Sequence, residues 1–425
     1  MSICLFEDCS ISTLLPLTYV QPDFDLRCGI FTPRERLARR FPDASLSLFV
    51  RPELTEVMAE RTGLTVNSVN DATLFVNGRA LLDASLLDRI NASMGSDVVF
   101  VNGGVMIAAT AASEAFRTEL FAWLRSRSGV EASSATGIPT AAIEHHRVKL
   151  TDVQCQLISY PWDLIEYNVP MLEEDAACFP LGVIESDAMV DPTAVLSVKD
   201  RMYIAAGVTI APGVVLDASE GPIVVDRNSI LQPQAVLLGP VSIGANSRIK
   251  IGAKIYHGSS IGPSCKIGGE IEGSIFHSYS NKQHDGFVGH SYFAQWTNLG
   301  ADSNTSDLKN NYSSIRVVQE GKEIDTGRMF LGTIMADHSK CGINTMFNTG
   351  SMIGLGCNIF GGGFPPKFLP SFTWGGADGL VQYEFDKFLE TAALVMKRRG
   401  VKLTDAELRL LRDVFNRTAL LRVDL

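Results

Sequence analysis

The chain has 425 residues, 46% of them hydrophobic and 20% charged, with a formal net charge of −10. Such a length exceeds one ordinary core and predicts two or three domains. The acidic balance argues against a nucleic-acid or anionic-membrane surface and leaves room only for local basic pockets. No stretch reaches the ~18 apolar residues of a membrane helix; the best candidate, Val98 to Ala112, is broken by Asn102 and two glycines. Eight cysteines without a C-x-x-C pair read as reduced thiols. The opening MSICLFEDCS carries acids where a secretory leader needs basic residues, so a cytoplasmic protein is expected.

In chain order, residues 1–180 read as α/β. Short apolar strands are expected at Ile3–Phe6, Leu46–Val50, Thr73–Val76 and Val98–Val101, with helical patterns at Pro33–Arg40 and Leu81–Ile90. The pair His145-His146 between apolar segments is read as a surface turn or strand end.

From about 184 to 363 the organisation changes. Val225, Leu231, Leu237, Ile243, Ile249, Ile255, Ile261 and Ile267 recur at an unbroken spacing of six. A helix repeats a face at three or four residues and a strand at two, so neither gives a period of six. A three-sided coil does, with one aliphatic residue per side pointing inward and each turn stacking on the next. The pattern predicts a left-handed parallel β-helix. A weaker run at Ile184, Val190, Leu196, Ile204, Ile210 and Leu216 precedes it. Residues 272–287 and 302–329 read as polar insertions, and hexads resume from Phe330 through Ile343, Ile353 and Ile359. Insertions that leave a rigid solenoid are natural places for chemistry. Beyond FPPKFLPSFTWGG, Phe385, Phe388, Leu389, Ala392, Val395 and Met396 predict one helix, and the capping box Thr404 to Glu407 starts another. The expected division is 1–180, 181–365 and 366–425.

Three segments carry a resemblance: SYSNKQHDGFVGHSYFAQWTNLGADSNTSDLKNNYS from Ser278, DHSKCGINTMFNTGSMIG at 337–354, and Tyr160-Pro161-Trp162-Asp163-Leu164. Together they resemble the sugar nucleotidyltransferases with a left-handed β-helix tail. This is the GlmU-like group around the bifunctional N-acetylglucosamine-1-phosphate uridylyltransferase/glucosamine-1-phosphate acetyltransferase. The resemblance implies a Rossmann-like nucleotidyltransferase domain, a homotrimer and acetyl-CoA as co-substrate. It places His284 as the general base that takes a proton from a sugar amine, a task suited to a near-neutral imidazole. It implies sugar contacts at Asn298, Asn311 and Tyr312, and an acyl-CoA groove along Ala336, Cys341 and Gly342. Departures accompany it. Phe287 stands for a phosphate-binding Tyr and Glu272-Gly273 for a Lys pair, so Lys282 is the candidate substitute.

The first domain departs further from the family. Its first strand is followed by Glu7-Asp8-Cys9-Ser10 rather than a glycine loop that would cradle phosphates. Leu15-Pro16-Leu17-Thr18 resembles the family's segment, but Asp23 replaces its lysine, and Asn77-Gly78-Arg79 puts an Arg where a magnesium-binding Asp is expected. Thr18 and Arg27 are candidates to rebuild an anion site there. His338 and Cys341 lack further partners for zinc and read as coil corners; no metal site is expected. Three functions stay open: N-acyl transfer from acetyl-CoA to an amino sugar or its phosphate, Mg-dependent sugar-1-phosphate nucleotidyl transfer, and sugar-nucleotide binding without catalysis. All take small-molecule partners rather than nucleic acid or membrane.

Overall fold

The apolar segment Ser2–Phe6 forms an interior strand, third in order, of a seven-stranded sheet in the computed structural model, which describes residues 1–68, 71–127 and 137–423. In sheet order the strands are Thr65–Val66, Ser45–Phe49, Ser2–Phe6, Leu74–Asn77, Val105–Thr110, Val98–Asn102 and Lys149–Asp152. All run parallel except Val105–Thr110. The apolar stretch from Val98 is therefore a hairpin, turned by Gly103 and Gly104 in the left-handed region. Pro33–Arg40 is a helix as expected, and its Thr32–Glu35 capping box fixes where it starts. The second expected helix lies at Ala84–Ala92, because Asp83 caps it there. His145-His146 end the helix Thr140–His146 instead of a turn or strand, and both rings approach Glu119.

The chain divides into two compact units rather than three: Met1–Leu26 with Phe31–Tyr160, and Arg27–Ile30 with Pro161–Leu425. The second unit is the left-handed parallel β-helix with its C-terminal helices. Three parallel sheets form its sides, and the aliphatic residues at spacing six meet in one core from Met202 to Leu369. Glycines after the inward residues serve close stacking more than unusual dihedrals. A Cβ at Gly262 would stand 1.6 Å from the carbonyl oxygen of His277 in the next coil.

Residues 272–287 do not leave the coil, contrary to the pattern's reading. Glu270–Glu272, Ile275–Phe276, Asn281–Lys282 and Phe287–Gly289 continue the three sheets in register. Steps between inward residues shorten here to four or five (Ile267, Ile271, Phe276), which breaks the period without breaking the coil. The true excursion begins after Asn304–Thr305 and returns at Thr333–Met335, which pairs with Tyr292–Phe293. It contains the hairpin Arg316–Gln319 and Lys322–Asp325. After it the inward residues are Cys341, Phe347, Ile353 and Ile359, while Ile343 sits on a corner, 68% exposed. The proline-rich stretch belongs to the last coil, which closes at Phe368–Leu369 and Thr373–Gly376. Helices Phe385–Lys397 and Asp405–Arg417 then pack on it through Phe388 and Phe415 against Phe372.

The four residues Arg27–Ile30 are strapped to the β-helix by buried polar groups. Asn168 is fully buried; its Oδ1 accepts from Gly29 N at 2.7 Å and Ser260 Oγ at 3.0 Å, and its Nδ2 donates to Gly258 O at 2.8 Å. Tyr292 Oη accepts from Arg27 N at 3.0 Å. Asn168→Ala would leave a backbone donor and an acceptor buried without partners. An expected loss of about 2–4 kcal/mol follows, to be read as a lower denaturant midpoint at an unchanged slope.

Candidate active site

The corner between Asn281–Lys282 and Phe287–Gly289 presents His284 to solvent, and its ring makes no hydrogen bond among the described residues. Lys282 explains how that corner is held. It occupies an inward position, fully buried, and its ammonium donates to the carbonyls of His284 at 2.7 Å, Asp285 at 3.0 Å and Gly268 at 3.4 Å. An ammonium has three donors and here finds three acceptors. Burial pushes its pKa down to about 8. Gly269 makes room, since a Cβ there would lie 2.6 Å from Nζ. Lys282 is therefore no phosphate ligand; it fixes the backbone that carries His284.

The outward side of the same sheet carries a polar row in register: Arg248, Lys266, Asn281, Asn298 and Lys340. Arg399, just past the first C-terminal helix, donates to Asn281 Oδ1 at 2.7 Å. Burial first, then Arg399, Arg248, Arg398 and Lys250, hold Lys266 below its ordinary pKa. A concentration of cations in an acidic chain is an anion-attracting surface. Sequence reasoning passed over this row, although Arg248 and Lys266 directly precede the inward Ile249 and Ile267 and so had to face outward.

Other expected residues are dispersed. Asn298 stands in this row, one coil beyond Asn281. Asn311 and Tyr312 are exposed on the excursion, and Asn311 lines a cleft of about 420 Å³ with Lys309, Asn348 and Thr349. No hydrogen bond among the described residues joins either to His284 or Asn298. Ala336 and Cys341 are buried, Cys341 inside the coil with its thiol 3.4 Å from Ser303 Oγ. Their side chains cannot line a groove, which leaves only backbone and Gly342 on that surface. His338 takes a left-handed corner between Trp296 and Phe388.

In the first unit the carboxyl ends of Ser2–Phe6 and Leu74–Asn77 meet where the strand order reverses, the usual ligand crevice of such sheets. Arg79 fills it. Its Nε lies 3.0 Å from both oxygens of Asp8, with Nη2 at 2.5 Å, and Asn77 donates to Asp8 at 3.0 Å. Burial opposes ionisation of Asp8, but Arg79, Asn77 and the Ser10 N–H hold its carboxyl below the usual range. Burial, reinforced by Glu7 and Asp8, pushes Asp23 well above that range. Thr18 is buried, its hydroxyl donating to Ile11 O at 3.2 Å. Arg27 is buried in the second unit, donating to His277 O at 3.2 Å and to Ile30 O. Neither is placed as a free anion ligand. The donor set does not fit magnesium, because Asp8 is paired with Arg79, Glu7 with Arg51, and Asp23 is pushed towards its protonated form.

The chain thus joins an α/β sheet unit to a left-handed β-helix with a solvent-facing histidine corner. Residues 3–182 match the family model described as sugar nucleotidyl transferase. Over 219 residues the chain is 26% identical to the bifunctional sugar-1-phosphate nucleotidylyltransferase/acetyltransferase of Sulfurisphaera tokodaii, covering 51% of this chain and 48% of that one. The match thus spans about half the length of that curated relative. Among solved structures, a UDP-N-acetylglucosamine acyltransferase covers 56% of this chain and 82% of its own at 16% identity, TM-score 0.27. The Francisella novicida UDP-N-acetylglucosamine acyltransferase covers 55% and 79% at 16% identity, TM-score 0.27. The GlmU-like resemblance read from the sequence holds.

Proposed function

We propose that the protein is a transferase of amino-sugar or nucleotide-sugar metabolism, moving an acetyl group from acetyl-CoA to an amino sugar at the His284 corner. The supporting observation is the pairing of an exposed imidazole, its backbone pinned by Lys282, with the cationic row beside Asn298. In this reading the sugar amine attacks the thioester carbonyl while His284 accepts its proton. The C–N bond forms, the C–S bond breaks, and the proton passes to the departing thiolate. The cationic row meets phosphate on the acceptor or the donor, in place of the Tyr and Lys ligands that Phe287 and Glu272 replace. Asn298 orients the sugar; Asn311 and Tyr312 serve a neighbouring protomer of a homotrimer. The protein works in the cytoplasm.

A second reading, sugar-1-phosphate nucleotidyl transfer, is favoured by the family match over residues 3–182 and disfavoured by the Arg79–Asp8 pair in the crevice. Two assays on the full chain separate them. Thiol release from acetyl-CoA with amino sugars and their 1-phosphates is expected, together with a trimeric mass in solution. Pyrophosphate release from a panel of nucleoside triphosphates with magnesium is not. The reverse pattern would replace the first reading with the second, and silence in both would leave a ligand-binding protein.

A further inference from the structure

The opposite end of Phe287–Gly289 holds a second imidazole, His290, which acyl transfer does not use. It lines a pocket of about 450 Å³ within the second unit, together with Trp162, Glu166, His257, Arg328 and Phe330. That volume suits a small molecule. His290 Nδ1 lies 2.8 Å from Asp307 Oδ2. A carboxylate only accepts, so Nδ1 carries the hydrogen, and in the neutral ring Nε2 is left as an acceptor. Two glycines clear space for this arrangement. A Cβ at Gly289 would stand 2.1 Å from Asp307 Oδ2, and one at Gly273, which also lines the pocket, 3.1 Å from His290 Nε2. The imidazole is therefore oriented by a carboxylate and seated over a residue cut back for it.

The other walls narrow the ligand. Arg328 is held by Glu166 at 3.0 Å and Asp163 at 3.7 Å, while its buried Nε–H has no partner among the described residues. Phe330, 45% exposed, presents its ring 5.1 Å from that of His290. The one guanidinium is already met by two carboxylates, Asp163 and the pocket-lining Glu166, and Asp307 stands against His290, which disfavours an anion. The pocket thus offers an acceptor, an orphan donor and an aromatic face, without net attraction for phosphate. A hydroxyl both donates and accepts, and a pyranose adds one C–H face to pack on a ring.

We infer that this pocket is a second binding site, distinct from the His284 corner, for an uncharged or amine-bearing pyranose sugar. His290 Nε2 accepts from a sugar hydroxyl or amine, Arg328 Nε–H donates to a hydroxyl oxygen, and Phe330 packs against the ring. Asp307 is a positioning residue that fixes the tautomer.

The test is calorimetric or saturation-transfer titration of the full chain with methyl glucoside, glucosamine and glucose 1-phosphate. The first two are expected to bind and the phosphate to bind at least about tenfold more weakly. His290→Leu and Phe330→Ala should each weaken methyl glucoside by about tenfold or more, and His284→Ala should leave it unchanged. Imidazole nitrogen shifts should report the Nδ1–H form of His290 and lose it in Asp307→Asn, which a merely structural carboxylate would not cause. Absence of binding by both uncharged and amine-bearing sugars, preference for the phosphate, or loss in His284→Ala with retention in both His290→Leu and Phe330→Ala would overturn the inference.

Discussion

Replacing His284 by alanine is expected to lower acyl transfer by about two to four orders of magnitude while leaving the fold and assembly intact. The two halves of that expectation have separate causes. The rate falls because an amine attacking a thioester must shed a proton, and no other imidazole stands on this corner. Stability stays within about 0.5 kcal/mol, since the ring is exposed and bonds to nothing among the described residues. Thiol release and the thermal midpoint, measured on the same preparation, check both. Lys282→Met is the instructive companion. It leaves two carbonyls of the corner and that of Gly268 without their ammonium, so activity and stability should fall together. Full turnover in His284→Ala would sink the proposed role.

The largest stability effect is expected at Arg79. It is 5% exposed and paired with Asp8, itself 7% exposed, with Asp23 close by. Arg79→Met would strand buried carboxylates. Breaking such a pair from one side costs about 3–5 kcal/mol, enough to make the first unit melt separately and earlier in calorimetry. The pH dependence follows from two opposite shifts. Asp8 is depressed, so its contribution is present above the unfolded carboxylate value and lost as pH falls through the folded one. The gap between wild type and Arg79→Met should therefore narrow in acid. Asp23 is raised, so the folded chain keeps that proton where the unfolded chain has lost it, and stability declines as pH rises across that window. Asp23→Asn should flatten this decline. A destabilisation under 1 kcal/mol for Arg79→Met would show that the crevice is wetter than its packing implies.

How far the sequence speaks for this structure depends on whether a residue obeys its environment's simplest rule. Inward aliphatics at spacing six announce the coil because nothing else needs that period. Lys282 breaks the rule while keeping the position: it is inward, yet satisfied by carbonyls that only the folded corner brings together. The same shortened steps near Ile271 and Phe276 made a continuous solenoid read as an insertion. Family resemblance singles out His284, which the structure leaves exposed, whereas the row of Arg248, Lys266 and Lys340 required knowing which strands stack. Arg27 illustrates the opposite failure. A basic residue near a suspected phosphate loop suggested an anion site, but Arg27 belongs to the second unit and its guanidinium is spent on backbone carbonyls there.

That last placement has a consequence for how the molecule can be taken apart or inherited. Because Arg27–Ile30 belongs with residues from Pro161 onward, the chain passes between its units three times, and no single cut separates them. A β-helix started at Pro161 would lack the Gly29 amide that Asn168 accepts and the Arg27 amide that Tyr292 accepts. Exchanging the first unit for that of a relative would carry the strap away with it. During synthesis, too, Arg27 must wait for coil residues that lie 250 and 265 positions further along the chain. Any shuffling of the β-helix must therefore bring Arg27–Ile30 with it.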